Sequence, residues 1–185
     1  MRRHCSCSTS SSAKSADTVQ TFLPFVDFKD SALVLDRARL GKQRLEAKQI
    51  IMTLEGTTSH RGWRNHPAVK MWEGHTGVLA LYGIVMCMEW RRRGYTDTLL
   101  SYFAVRSPRH DFASPWWLGY EPFHLSHQSN LVRKLPSHYR RMFPDVPDDL
   151  SYFWPTAEPQ DASEESVDEL TVQSDVREQI ERILQ

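Results

Sequence analysis

The run "VLALYGIVMCMEW", Val78 to Trp90, constrains this chain more than any other stretch of it. It is too short to cross a bilayer, which takes about 20 apolar residues, and it ends in Arg91, Arg92 and Arg93 followed by Gly94. The reading is therefore of a soluble protein in which this segment forms a helix from Val78 to Arg93. Gly94 is its stop, and the three arginines are structural, because cations in a last turn are favoured by the helix dipole.

With 185 residues, 40% of them hydrophobic, the chain can bury one good core, which predicts a single domain with tails. The formal charge of zero hides a division. Residues 20–154 hold eighteen Lys and Arg against thirteen Asp and Glu, whereas residues 156–185 hold two against nine. The first nineteen residues are Ser-rich and basic, with Asp17 as their one acid, the composition either of an organellar transit peptide or of a disordered tail. The acidic tail has too little apolar surface to fold alone, although Val176, Ile180, Ile183 and Leu184 stand at helical spacing and could dock on the body or on a protein partner. Cys5 and Cys7 in the leader and Cys87 in the apolar run make no disulfide framework and no zinc cluster. The location implied is intracellular: a mitochondrion or chloroplast if the leader is a transit peptide, otherwise cytoplasm or nucleus.

Between the tails the pattern is mainly α, a compact helical domain over 20–155. Asp30 or Ser31 can cap a helix running to Leu54, with Leu33, Leu40, Ala47 and Leu54 on one stripe and Ile50 and Ile51 beside it. Gly41 is placed to bend or divide that helix, and Gly56 to stop it. Further helices are expected at Pro67, near Asp97, through "HLSHQSNLVRKL" and at "PSHYRRMF". The closing "PDVPDDLSYFWP" has too many prolines for a helix and is expected to lie on the body as an extended aromatic strap.

Three clusters carry chemistry. In "LDRARLGKQRLEAKQI" a polar face gathers Arg39, Lys42, Gln43, Glu46 and Gln49. The cations around Glu46 predict a lowered carboxyl pKa and a role as fixed negative charge or base. Spacing alone equally allows an ordinary Lys42–Glu46 pair on a solvated face, worth a few tenths of a kcal/mol. In "GWRNHPAVKMW", Pro67 opens a helix whose free N–H groups, with Arg61, Arg64, Asn65 and His66, suit a phosphate; the alternative is a surface loop whose Arg64 pairs with a carboxylate. In the third, His124, His127, Asn130, Arg133 and Lys134 recur at three- and four-residue steps, with His138, Tyr139, Arg140 and Arg141 beyond, a strip able to track a phosphate backbone while Tyr139 lies against a base. No metal or other cofactor is called for.

Taken together, "QTFLPF.DF", "LDRARLGKQRLEAKQI", "GWRNHPAVKMW", "EWRRRGY" and "SNLVRKLPSHY...FPDVPDDLSYFWP" resemble a bacterial family of small proteins related to the pyrimidine-dimer DNA glycosylases of the endonuclease V type, over roughly Gln20 to Pro155. The resemblance implies a monomeric DNA repair glycosylase, with or without abasic-site lyase activity, acting on a damaged or modified pyrimidine in duplex DNA. It matches Glu46 to the family's catalytic glutamate and Lys42 and Arg44 to its basic neighbours. The family's nucleophile is a terminal amino group, whereas about twenty residues precede the matching start near Gln20 and Thr21 here. The amine is then either exposed by processing around Thr18 to Thr21 or supplied by Lys42; otherwise Glu46 activates water. The readings from other classes are a non-catalytic nucleic-acid-binding module and a nucleotide-binding protein.

Overall fold

A computed structural model of the chain describes residues 19–58, 61–107 and 113–155, together with residue 178. The expected leader and the expected C-terminal helix of the acidic tail lie outside the described residues. Among those described there are seven α-helices and no strand: α1 Phe28–Val34, α2 Arg37–Leu54, α3 Pro67–Lys70, α4 Thr76–Arg92, α5 Leu100–Ala104, α6 Glu121–Lys134 and α7 Pro136–Tyr139. The mainly helical expectation holds. No helix among them is long and apolar enough to cross a membrane.

The apolar run became the centre of the molecule. Every residue of α4 from Val78 to Cys87 is buried, and α1, α2 and α5 pack around it. Gly94 follows with φ +84°, a left-handed stop that glycine adopts without steric cost. Asp97 then accepts from the N–H groups of Leu99 and Leu100, which is why the next helix begins at Leu100 rather than at Asp97 itself.

One long helix was expected from residue 30 to residue 54, divided if anywhere at Gly41. Two helices form instead, and the division falls at Leu35 and Asp36. Asp27 caps α1 and Asp36 caps α2, each carboxylate accepting from two backbone N–H groups at its helix start. Gly41 sits inside an unbroken α2. A Cβ there would stand 3.0 Å from the indole ring of Trp90, so its glycine permits the close approach of α2 to α4. The break turns Leu33 off the predicted stripe and leaves it 41% exposed, while Leu40, Ala47, Ile50 and Ile51 are buried.

The carbonyl groups that α1 leaves unpaired at its end are taken up from a distance. Arg93 donates to the carbonyl oxygens of Ala32, Leu33 and Leu35 at 3.0, 2.9 and 2.7 Å, and Glu89 holds Arg93 and Arg92 at 2.6 Å each. His138 Nε2 lies 3.0 Å from the carbonyl oxygen of Val34. Of the three arginines expected to be structural, Arg93 is thus the one that closes the α1–α2 corner.

The polar strip of α6 faces inward. His124, Ser126, His127, Ser129 and Asn130 are all buried. The reason is the buried non-helical stretch Val19 to Pro24, whose backbone groups need partners. Leu23 N–H donates to His127 Nδ1 at 3.2 Å, Leu23 O lies 2.8 Å from His124 Nδ1, and Gln128 donates to Pro24 O at 2.8 Å. On its other flank α6 holds the end of the body. Ser129 accepts from Leu150 N–H and Ser126 from Phe153 N–H, while Asn130 donates to Leu150 O.

Candidate active site

The stretch from Val19 to Pro24 passes between α2, α4 and α6, and its backbone is tied to the polar side of α2. Phe22 N–H donates to Gln43 Oε1 at 2.8 Å, and the Tyr82 hydroxyl lies 2.8 Å from that oxygen and 3.0 Å from Phe22 O. Gln43 is fully buried, and its amide Nε2 donates to Glu46 Oε2 at 2.8 Å. The backbone N–H of Gln20 also donates to the Glu46 carboxylate, and Lys42 Nζ stands 3.4 Å from Glu46 Oε1. Gln43 therefore joins the N-terminal segment to the carboxylate and holds both in register.

Glu46 is 4% exposed. The expectation that its cations would lower its pKa is overturned. Burial pushes the carboxyl up from 4.5 to about 7, and Lys42, the Gln20 N–H and Gln43 offset only part of that. Sequence spacing showed the cations and could not show the desolvation. A carboxyl group poised near neutrality can lose and gain a proton at working pH, which a salt-bridged surface glutamate cannot do.

Above Glu46 opens a cleft of about 630 Å³. Arg39, Lys42, Gln43 and Glu46 from α2 meet His66 and Pro67 at the start of α3 and Lys134 at the end of α6, with Gln20, Phe22, Tyr152 and Trp154. Arg39 is anchored there by Asp36 at 2.6 Å. Partial burial, then the like charges of Arg39, Arg133 and Lys42, hold Lys134 below the usual lysine value. His66 caps α3, its Nδ1 accepting from Ala68 N–H at 3.1 Å, and burial lowers its pKa, which keeps it neutral. The chemistry of this arrangement is a carboxyl group at the floor of a cationic opening with an aromatic wall.

Other expected site residues fall elsewhere. Arg44 points to the opposite side of α2, pairs with the buried Asp97 and lies over the Trp90 ring at 4.2 Å, so it is part of the core and not a nucleic-acid contact. His127 is fully buried and neutral, its pKa taken down to about 3 by burial and then by His124, which removes it from any phosphate surface. Tyr139 is also fully buried, its hydroxyl donating to Asp36 Oδ2 at 2.7 Å, so it cannot lie against a base. Thr21 is buried and its hydroxyl accepts from Trp72 Nε1 at 3.0 Å; the backbone nitrogen that meets Glu46 belongs to Gln20. Arg133 binds Asn130 and the Leu150 carbonyl at the rim. Arg64 and Asn65 are exposed beside the cleft mouth, and Arg64 has no carboxylate partner among the described residues. The side chain of Arg61 lies outside those described.

Sequence reasoning missed Gln20, Phe22, Tyr152 and Trp154 as cleft residues. Phe22, Tyr152 and Trp154 signalled only as aromatic composition at the two ends of the body, and Gln20 only as the neighbour of Thr21, which spacing along one helix cannot bring together.

No curated protein and no solved structure matches the chain. Residues 19–102, which span the buried N-terminal stretch, Glu46 with its partners on α2, and all of α4, match the family model described as pyrimidine dimer DNA glycosylase.

Proposed function

We propose that this protein is a DNA N-glycosylase that removes a damaged pyrimidine from duplex DNA, with Glu46 as its catalytic carboxyl group. The observation that carries the reading is a nearly inaccessible carboxyl group, poised at about 7, beneath an opening lined by Arg39, Lys42 and Lys134. Breaking a glycosidic bond builds positive charge on the sugar, which an ionised Glu46 stabilises at close quarters. The departing base keeps the bonding electron pair and takes up a proton, while a nucleophile bonds to the sugar carbon. The cations hold the flanking phosphates during extrusion of the nucleotide, a step costing a few kcal/mol that damage makes easier.

The finer question is the nucleophile. With residue 19 attached, the Gln20 nitrogen is an amide and cannot form a Schiff base. A chain beginning at Gln20 would present an α-amine at Glu46, and the abasic product could then be cut by elimination. Water activated by Glu46 serves when that amine is absent. Borohydride trapping on duplexes with a pyrimidine dimer or an abasic site, using the full chain and a chain starting at Gln20, tests this directly. The expected result is base release by both and a covalent adduct only with the shorter one. Duplex binding without base release by either would leave a nucleic-acid-binding module in place of an enzyme.

A further inference from the structure

The last continuous stretch of described chain ends at the cleft itself. Trp154 lines the opening above Glu46 together with Tyr152, and its place there is fixed. Phe153 N–H donates to the Ser126 hydroxyl at 3.1 Å, and the Trp154 ring stands 5.4 Å from that of Tyr152 and 6.0 Å from that of His66. The residues that follow therefore leave from the rim. From Thr156 to Val176 the sequence has seven acidic residues and no Lys or Arg. A charge run of this kind is ordinarily a solvated tail, and its point of attachment gives it a second possibility.

Connectivity alone keeps the first of these acids near the opening. Each residue advances a chain by at most about 3.6 Å, so the Cα of Glu158 lies within about 14 Å of that of Trp154 whatever the path between them. Asp161, Glu164 and Glu165 come next. The opening is cationic, lined by Arg39, Lys42 and Lys134, with the exposed Arg64 beside it. These cations crowd one another: burial, then the like charges of Arg39, Arg133 and Lys42, hold Lys134 below the usual lysine value. An anion entering the opening relieves that repulsion. A carboxylate tethered at the rim is presented to it at an effective concentration on the order of millimolar, far above that of any free nucleic acid.

We infer that the acidic segment from Glu158 to Glu169 occupies the cationic cleft when DNA is absent and competes with DNA phosphates for Arg39, Lys42 and Lys134. The inference rests on the reading of this cleft as the DNA site. Its carboxylates each carry the charge of one phosphodiester, so the segment neutralises the same side chains that a DNA backbone would. Binding of a duplex then requires its displacement. Salt screens the contact of the segment as it does that of DNA, so the competition is strongest at low ionic strength and fades as salt is raised.

The test uses the full chain and a full-length variant carrying Glu158→Gln, Asp161→Asn, Glu164→Gln, Glu165→Gln, Asp168→Asn and Glu169→Gln. A carbodiimide, which joins an amine to a carboxylate in contact with it, is expected to link Lys42 or Lys134 of the wild type to a residue between Glu158 and Glu169 of the same molecule. An excess of duplex should suppress that link. The variant is expected to bind an undamaged duplex about fivefold or more tightly than wild type at low salt, with the difference gone at high salt. Links spread equally over Lys29 and Lys48, which do not line the cleft, would overturn the inference. So would links between separate molecules in a mixture of isotopically light and heavy protein. Tighter binding by the variant without the cleft link would mean that the acids repel DNA from a distance, and would overturn it too. Should neither protein bind a duplex, the DNA reading of the cleft fails, and the link within one molecule decides alone: its presence at low salt and loss at high salt would sustain occupancy of the cleft, and its absence would overturn it.

Discussion

Glu46 carries opposite consequences for activity and for stability, and both can be measured. Changing Glu46 to Gln keeps its size and most of its hydrogen bonds, so the fold should persist while base release falls by about a hundredfold or more. If the ionised form is the active one, kcat/KM of the wild type should rise with pH through about 7, and the variant should lose that limb. For stability the sign is reversed. The folded carboxyl titrates at about 7 and the unfolded one near 4.5, so the folded state binds more protons in between, and stability falls as pH rises through that window. Glu46→Gln should therefore melt higher than wild type at pH 8, by an amount corresponding to roughly 3 kcal/mol, and the gain should vanish near pH 4. Equal melting of the two proteins at pH 8 would mean that the carboxyl group is not buried as described.

At the scale of helices, the fold depends on two contacts that hold elements around α4. Arg93 reaches three carbonyl groups at the end of α1 while Glu89 fixes its guanidinium. Arg93→Met removes those bonds and leaves Glu89 with Arg92 alone, so unfolding should become easier by about 2–4 kcal/mol. The salt dependence of DNA binding by the folded fraction should stay unchanged, since Arg93 does not line the cleft. The second contact is between α4 and α5, where a Cβ on Gly83 would stand 2.5 Å from the ring of Phe103. Alanine there gains about 1 kcal/mol of helix propensity and must displace a fully buried ring, so overpacking should win and lower the melting temperature. A Gly83→Ala protein that melts higher would show that Phe103 has room to move.

For the whole molecule, charge is distributed by depth. The cleft cations of α2 and α6 surround one opening, and the exposed Arg64 and Asn65 stand beside it at the start of α3. Duplex binding should weaken steeply with salt, and Arg64→Ala should lower the slope of log K against log salt by about one unit, at nearly constant melting temperature and equally for all sequences. A variant that loses stability but keeps its slope would make this residue architectural. The same measurement on Arg44→Met should give the reverse pattern, because that change strands Asp97 in the core.

The helices were legible in the sequence because their signals are local: the length of the apolar run, the glycine at 94, the proline at 67 and the three- and four-residue steps of α2. So was the place of Glu46 among Arg39, Lys42 and Gln43, since helical spacing alone puts them on one side. What spacing does not carry is depth. The strip from His124 to Asn130 has the period of a cationic surface and proved to be an internal scaffold, because a buried non-helical segment from the other end of the chain needed its hydrogen bonds. Tyr139 was drawn inward in the same way by Asp36, more than a hundred residues before it. The pKa of Glu46 turned over for that reason too: the charges that lower it are near in sequence, whereas the desolvation that raises it comes from contacts closed only when residues 19–24, 66–67 and 152–154 converge. Sequence determined which groups stand side by side on each helix, and tertiary packing decided which of them kept their water.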